Sequence, residues 1–451
     1  MIFYHYVNHD DISEEKEREK VWLSLVQVCR RWRSIILGSP RHLKLRLVCT
    51  ESTPTRDTLD IWPALPLVIW CRDGESIESV DNIIAVLERR DRVCQIRLWN
   101  VESSDLEIIL AAMQQPFPEL TYLLLHSDET VPVVPDSFLG GSAPRLEDLE
   151  LNGIPFPGLP KLLLSATHLV NLHLFDIPHS GYISPEAMVT CLSSLTSLSS
   201  FSLHFESPRS CPDQASRLPP PSTRSVLPVL ESFWFKGVTE YLEDLVACIE
   251  APRLDKLYIT FFNDTVFDIP LFMQFISRTP TSRALQKAHV KLSYGGADLD
   301  FSSQTSDDGS LNVKILCRGL EWQVSSLEQV CTSCLPLLSM LEDLYIYERT
   351  YSQPDWNDDI ESGLWLQLLH PFTAVKNLYL SEKIALRIGP ALQELVEGRT
   401  TEVFPALQDI FLEGFESTGP VQEGIGKFVA ARQVTSPSIV LSSWANWDKF
   451  Y

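Results

Sequence analysis

The segment Pro144-Arg-Leu146-Glu-Asp-Leu149-Glu-Leu151 sets out a unit that recurs along the chain. A Pro or turn residue comes first, then a Leu, two variable residues, and hydrophobic-x-hydrophobic. The unit also stands at Pro118-Glu-Leu120-Thr-Tyr-Leu123-Leu-Leu125, at Thr167-His-Leu169-Val-Asn-Leu172-His-Leu174 and at Leu195-Thr-Ser-Leu198-Ser-Ser-Phe201-Ser-Leu203. It continues at Pro228-Val-Leu230-Glu-Ser-Phe233-Trp-Phe235 and Pro252-Arg-Leu254-Asp-Lys-Leu257-Tyr-Ile259. Later copies are Leu341-Glu-Asp-Leu344-Tyr-Ile346, Leu378-Tyr-Leu380 and Pro405-Ala-Leu407-Gln-Asp-Ile410-Phe-Leu412, and an early one is Val93-Cys-Gln-Ile96-Arg-Leu98. Period-two hydrophobics put two side chains on one face of a short strand, and the Leu three residues earlier fills the turn leading into it. Strand centres fall roughly 23 to 34 residues apart, the spacing of stacked repeats.

Between the strands lie helical pieces such as Asp105–Met113, Glu240–Ile249 and Ile388–Val396. One strand and its returning helix cannot bury both inner faces alone, but stacked copies can. The pattern resembles the leucine-rich repeat, although the Asn that usually comes after the strand is matched only at sites such as Asn152. The resemblance implies an α/β fold, a curved solenoid or horseshoe with an inner parallel sheet, over residues 44–451. His289–Leu292 and Leu311–Ile315 read as degenerate members or as a hairpin. Loop insertions are expected near 206–224, 294–310 and 351–363, where Pro, Gly, Ser and Asp concentrate. Near the end, Trp444 and Trp447 either close the stack or are disordered.

Residues 1–43 read as a helical head. In Val21–Leu43, the residues Val21, Leu25, Val28, Trp32 and Ile36 make one apolar stripe at helical spacing, and Trp22, Val26 and Cys29 widen it. Gly38 and Pro40 stop the helix. Through Leu25, Val28, Cys29, Arg30, Arg31, Trp32 and the closing Ser39-Pro40, the segment resembles the second half of an F-box. That family docks onto a Skp-type adaptor of cullin–RING ubiquitin ligases. The run from Arg46 to Ile69 is similar to the segment just after the head in fungal F-box-like proteins. The family's opening Leu-Pro and first helix are not matched, since the chain starts at Met1-Ile2-Phe3-Tyr4. The F-box is therefore expected to be N-terminally incomplete, with a shortened gene model as one explanation. The resemblance implies adaptor binding through Trp22, Leu25, Val28, Cys29, Trp32 and Ile36. It also implies a protein substrate on the repeats, and no cofactor or metal.

The chain has 451 residues, 45% hydrophobic and 21% charged, with a formal net charge of −22. Such a field repels phosphate backbones and argues against nucleic acid. No apolar run nears the roughly 20 residues that span a bilayer. The ten cysteines stand singly, often in apolar runs, which is the usage of a reduced cytoplasmic or nuclear protein.

Catalytic and metal motifs are not matched. Cys331-Thr-Ser-Cys334 lacks two further zinc ligands, and His5 and His9 have no carboxylate motif beside them. Asp355-x-Asn357-x-Asp359 begins like a calcium loop, but Ile360 takes the place of its Gly and Leu366 that of its closing Glu. His126, His168, His173 and His204 lie in or near repeats and read as structural. There is no Gly-x-Ser-x-Gly and no Walker loop. The reading is a non-catalytic substrate receptor of a Skp–cullin–F-box ligase. Its rivals are an interaction scaffold without a ligase and a hydrolase hidden in the repeats.

Overall fold

The computed structural model describes residues 24–38, 45–50, 59, 64–71, 80–129, 131–211, 224–262, 267–280, 285–303, 309–333, 335–349, 360–396, 401–413, 420–433 and 439–444. These residues divide into two compact units, one on each side of the 212/213 junction.

In the first unit, seven strands follow chain order: β1 (Leu47–Cys49), β2 (Leu67–Cys71), β3 (Val93–Leu98), β4 (Tyr122–His126), β5 (Asp148–Asn152), β6 (Asn171–Ile177) and β7 (Ser200–Phe205). Every neighbouring pair is parallel. Helix α1 (Arg30–Leu37) precedes β1; α2 (Val80–Leu87), α3 (Ser103–Ala112), α4 (Leu159–Leu163) and α5 (Pro185–Leu192) lie between the strands, and α2 packs on α3 as α4 packs on α5. Between β4 and β5 a short 3-10 turn, Phe138–Gly141, stands in for a helix.

The second unit holds β9 (Ser232–Gly237), β11 (Lys256–Phe262), β12 (Lys287–Ser293), β13 (Gly296–Ser302), β14 (Ser310–Leu316), β15 (Asp343–Glu348), β16 (Asn377–Leu380), β17 (Asp409–Glu413) and β18 (Val440–Trp444). Their order in the sheet is β9-β11-β14-β13-β12-β15-β16-β17-β18, and β8 (Ser225–Val226) pairs separately with β10 (Ile249–Glu250). The helices are α6 (Thr239–Ala247), α7 (Pro270–Arg278), α8 (Leu320–Ser333), α9 (Leu335–Leu338), α10 (Ser362–Leu369), α11 (Glu382–Gln393) and α12 (Pro420–Gln433). All pairings in the large sheet of this unit are parallel except those of β13, which is antiparallel to both β12 and β14.

The repeat pattern explains this construction residue by residue. In β5, β12, β14 and β17, buried and half-exposed residues alternate, so one face of each strand is core. The Leu three residues before each strand pair is buried at Leu120, Leu146, Leu169, Leu198, Leu230, Leu254, Leu341 and Leu407. Each of these residues also donates its backbone N–H to the carbonyl three residues earlier, closing one turn per repeat; Leu146 to Ala143 at 3.2 Å is one case. The signature Leu therefore both fills the core and closes the bend. Burying one such side chain stabilises the fold by about 1.5–3 kcal/mol. The chain is a mixed α/β, leucine-rich-repeat-like array in each unit.

Two expectations are corrected. Within 294–310, read as a surface insertion, residues 296–302 form β13 inside the sheet; the flanking strands pair antiparallel with it and not with each other, and each also pairs parallel with a repeat strand, β12 with β15 and β14 with β11. The head is not one helix through residue 37. Ser24–Val28 is helical, Cys29 is extended at φ −160 and ψ 167, and α1 begins at Arg30.

Candidate interaction surfaces

The head residues expected to meet an adaptor point in different directions. Leu25 and Ile36 are buried, as is Val26. Val28 is 59% exposed, Cys29 is exposed and Trp32 is half-buried. Trp22 lies outside the described residues. Extended backbone at Cys29 divides the stripe, and Arg33 Nε reaches back over the break to the Val26 carbonyl at 3.0 Å. Val28 and Ile35 are left as exposed apolar side chains.

Along most strands the residue between two core hydrophobics is less buried than they are, with Leu124, Ser202 and Asp298 buried as exceptions, and strand register lines these residues up in rows. In the first unit one row is Trp70, Arg97, Leu124, Glu150, His173 and Ser202. The row beside it continues through Gln95, Tyr122, Asp148, Asn171 and Ser200. The Arg97 guanidinium lies 4.5 Å over the Tyr122 ring and donates to Gln95 Oε1 at 3.3 Å. His173 Nδ1 is 2.8 Å from Ser202 Oγ, and Asn171 Nδ2 donates to Asp148 Oδ1. Burial holds the His173 imidazole below its ordinary 6.5 against the opposing pull of Asp148. Burial also pushes the Glu150 carboxyl up, with His126 acting the other way. Beyond the strands' C-terminal ends lies an open cleft of about 380 Å³ lined by Asp128, Glu129, Asp176 and Glu206. Gly153, at φ +69, lets the backbone turn there, because a Cβ would sit 2.3 Å from the Ser127 carbonyl oxygen.

In the second unit a single row crosses all nine strands: Trp234, Tyr258, Asn312, Asp300, His289, Tyr345, Tyr379, Phe411 and Ser442. Trp234 stacks on Tyr258 at 4.2 Å. His289, Tyr345, Tyr379 and Phe411 form a continuous stack with centroids 4.3, 4.1 and 4.4 Å apart. Their planes are nearly parallel, so the rings use their faces on one another and turn their edges outward. Trp444 packs edge-on against Tyr347 and Tyr379 and tilted against Tyr345. Trp444 thus packs on the outward aromatic row, and Trp447 lies outside the described residues. The next row runs Lys236, Thr260, Lys314, Asp298, Lys291 and Tyr347. Lys291 Nζ pairs with Asp300 at 2.7 Å, while Lys314 and Arg349 stand 3.8 and 3.7 Å from Asp298.

Among the described residues several histidines and cysteines take packing positions, while His168 and Cys29 are exposed. His204 packs edge-on to Phe175, and His126 packs edge-on to Trp99 and lies 3.2 Å from Asp128. Cys331 is buried in α8, and Cys334, like His5, His9 and Asp355–Asp359, lies outside the described residues. Burial pushes the Cys191 and Cys317 thiols up to about 11, so both are protonated at neutral pH. Among the described residues no group of three or more His, Cys, Asp and Glu could hold a metal ion, and no helix is long and apolar enough to cross a membrane.

The rows themselves went unread in the sequence. Their signal was the repeated middle residue of Leu344-Tyr-Ile346, Leu378-Tyr-Leu380 and Ile410-Phe-Leu412.

No protein-family model matches the chain, and no curated protein matches it. Among solved structures, it is similar to the leucine-rich repeat-containing protein LegL7 from Legionella pneumophila. The identity is 13% and the TM-score 0.29, over 88% of this chain and 100% of that one. It is also similar to TLR13 in the TLR13–ssRNA13 complex, at 10% identity and a TM-score of 0.31, over 88% of this chain and 49% of that one. The repeat assignment rests on the register of the chain's own strands.

Proposed function

We propose that this chain is a non-catalytic protein-interaction scaffold acting as the substrate-recognition subunit of a Skp–cullin–F-box ubiquitin ligase. The observation that carries the scaffold reading is the pair of in-register rows in each unit. They set Arg, Lys, Glu, Asp, His and aromatic side chains at fixed spacing on a face whose other side is core. A surface of that kind recognises a protein by many modest contacts rather than by bond chemistry. A ligase would use it by proximity, holding a substrate beside a ubiquitin donor.

The ligase part rests on the F-box resemblance and on two separate observations in the head: Val28 is exposed and Trp32 is half-buried. In this reading Val28, Cys29, Trp32 and Trp22 make the adaptor contact, and Leu25 and Ile36 fix the two helical pieces from which it is presented. The partners are then a Skp-type adaptor, a cullin–RING ligase and a protein substrate, in the cytoplasm or nucleus.

Affinity capture of the tagged full chain, followed by mass spectrometry, reports adaptor and substrate together. We expect a Skp-type adaptor in the wild-type capture and its depletion from a Trp32→Ala capture. A wild-type chain that brings down other proteins but no adaptor selects the scaffold without a ligase, a reading favoured by the break at Cys29.

A further inference from the structure

The place where the repeat is broken in the second unit is also where its charge is unusual. Strand β13 inserts between β12 and β14 and carries two carboxylates, Asp298 and Asp300, into the outward rows. Three cations stand against them: Lys314 on one side, Lys291 and Arg349 on the other. In a chain of net charge −22, this patch has the opposite sign.

The layering matters more than the count. Asp298 is 2% exposed, while the Lys314, Lys291 and Arg349 side chains are 32%, 22% and 49% exposed. The carboxylate therefore lies beneath and the cationic heads lie at the surface. Lys314 and Arg349 are too far from Asp298 to hydrogen-bond it, at 3.8 and 3.7 Å, so their N–H donors are not used on that group. Asp298 Oδ2 is buried without a hydrogen bond among the described residues. Two cations are thus held in place by a charge beneath them, with donors still available above. Beside them runs the stack from His289 to Phe411, with Trp444 packed against Tyr345 and Tyr379; the ring edges it leaves uncovered carry the positive end of the aromatic quadrupole. Both features select an oxyanion, and a row of strands selects an extended partner.

We propose that the outward face from β14 across to β17 docks an acidic peptide segment, its carboxylates on Arg349 and Lys314 beside the Lys291–Asp300 pair and its length along the His289–Phe411 stack. This rests on the scaffold reading above and supplies the chemical class of its protein partner. It is independent of the adaptor.

The test is a fluorescence-anisotropy titration of the purified full chain with a labelled peptide of alternating Asp and Glu, and with its Asn and Gln counterpart. The acidic peptide should bind saturably, weaken with added salt, and exceed the neutral one by about tenfold or more. Arg349→Ala should weaken it by about tenfold. Removing cations leaves Asp298 buried beside fewer partners and risks the fold, so Asp298→Asn is the second variant. It keeps every cation, removes the competing carboxylate, and should tighten binding. Equal affinity for the two peptides, indifference to Arg349→Ala, or weaker binding by Asp298→Asn would overturn the proposal, as would an oligoribonucleotide that binds better than the peptide. Capture of a Skp-type adaptor by the same preparation is scored separately. Adaptor capture with a silent peptide sinks this inference and spares the ligase reading, and the reverse pattern does the opposite.

Discussion

Glu243 is 1% exposed, and both of its oxygens accept from backbone N–H groups at the start of α7, Phe272 at 2.7 Å and Leu271 at 3.0 Å. A helix start leaves such donors without partners, and a carboxylate there is doubly suited by hydrogen bonding and by the helix dipole. The residue sits on α6, so it ties one repeat to the next. Glu243→Ala should destabilise the chain by about 1–3 kcal/mol in a denaturant melt, and Glu243→Gln by less. Asp298 is the contrasting case. Burial pushes its carboxyl above the ordinary 3.8 and outweighs the pull of Lys314 and Arg349. The folded form therefore holds the proton more tightly than the unfolded form. That contribution is fully present below the ordinary value and is lost as pH rises through the raised one. Asp298→Asn should accordingly gain melting temperature on wild type as pH rises from about 4 to about 7. A gap that stays level or shrinks would contradict the sign.

At the scale of elements, the strand–turn–helix unit was readable because its two signals are local. Period two marks the strand, and the Leu three residues before it marks the turn that its own N–H closes. The strand that could not be read is β13, although its partners β12 and β14 are its neighbours in sequence. Ala297-Asp-Leu299-Asp-Phe301 has strand periodicity, but it sits among Gly, Ser and Asp residues and its two partners run antiparallel to it. The break at Cys29 had no signal either, since every residue around it suits a helix. The hairpin has a direct test in two neighbouring glycines. A Cβ on Gly296 would lie 2.2 Å from the Ile315 carbonyl oxygen, whereas one on Gly295 would meet nothing within 4 Å. Gly296→Ala should destabilise the chain by more than about 2 kcal/mol, and Gly295→Ala should stay within about 0.5 kcal/mol. Equal effects would mean that β13 is not paired as described. In the head, Val28 is exposed, so Val28→Asp should leave the melting temperature nearly unchanged, and under the proposed ligase reading it should deplete the adaptor from the capture.

At the scale of the whole molecule, stacked repeats share their core mainly with neighbours, so damage should stay near its source. Leu172 in β6 is fully buried between β5 and β7. Leu172→Ala, expected to cost about 2–5 kcal/mol, should reduce amide-exchange protection in β5, β6 and β7 before it touches β16 and β17. A uniform loss along the chain would show a single cooperative core instead. The same logic says which parts of the function were legible. An array with alternating faces could be recognised from one sequence, because burial enforces the period. The composition of the outward rows could not, because row neighbours come from different strands, 23 to 29 positions apart in the first unit and 7 to 56 in the second.

The central claim is that adjacent residues of one strand divide between a core and a recognition face. Leu149, buried, and Glu150, on the outward row, stand side by side in β5 and permit the sharpest comparison. Thermal unfolding of Leu149→Lys and Glu150→Lys in the full chain measures it. The predicted result is a Leu149→Lys protein that loses its cooperative transition and a Glu150→Lys protein that melts within a few degrees of wild type. Two variants that fail alike, or a lysine tolerated at 149 and not at 150, would contradict it.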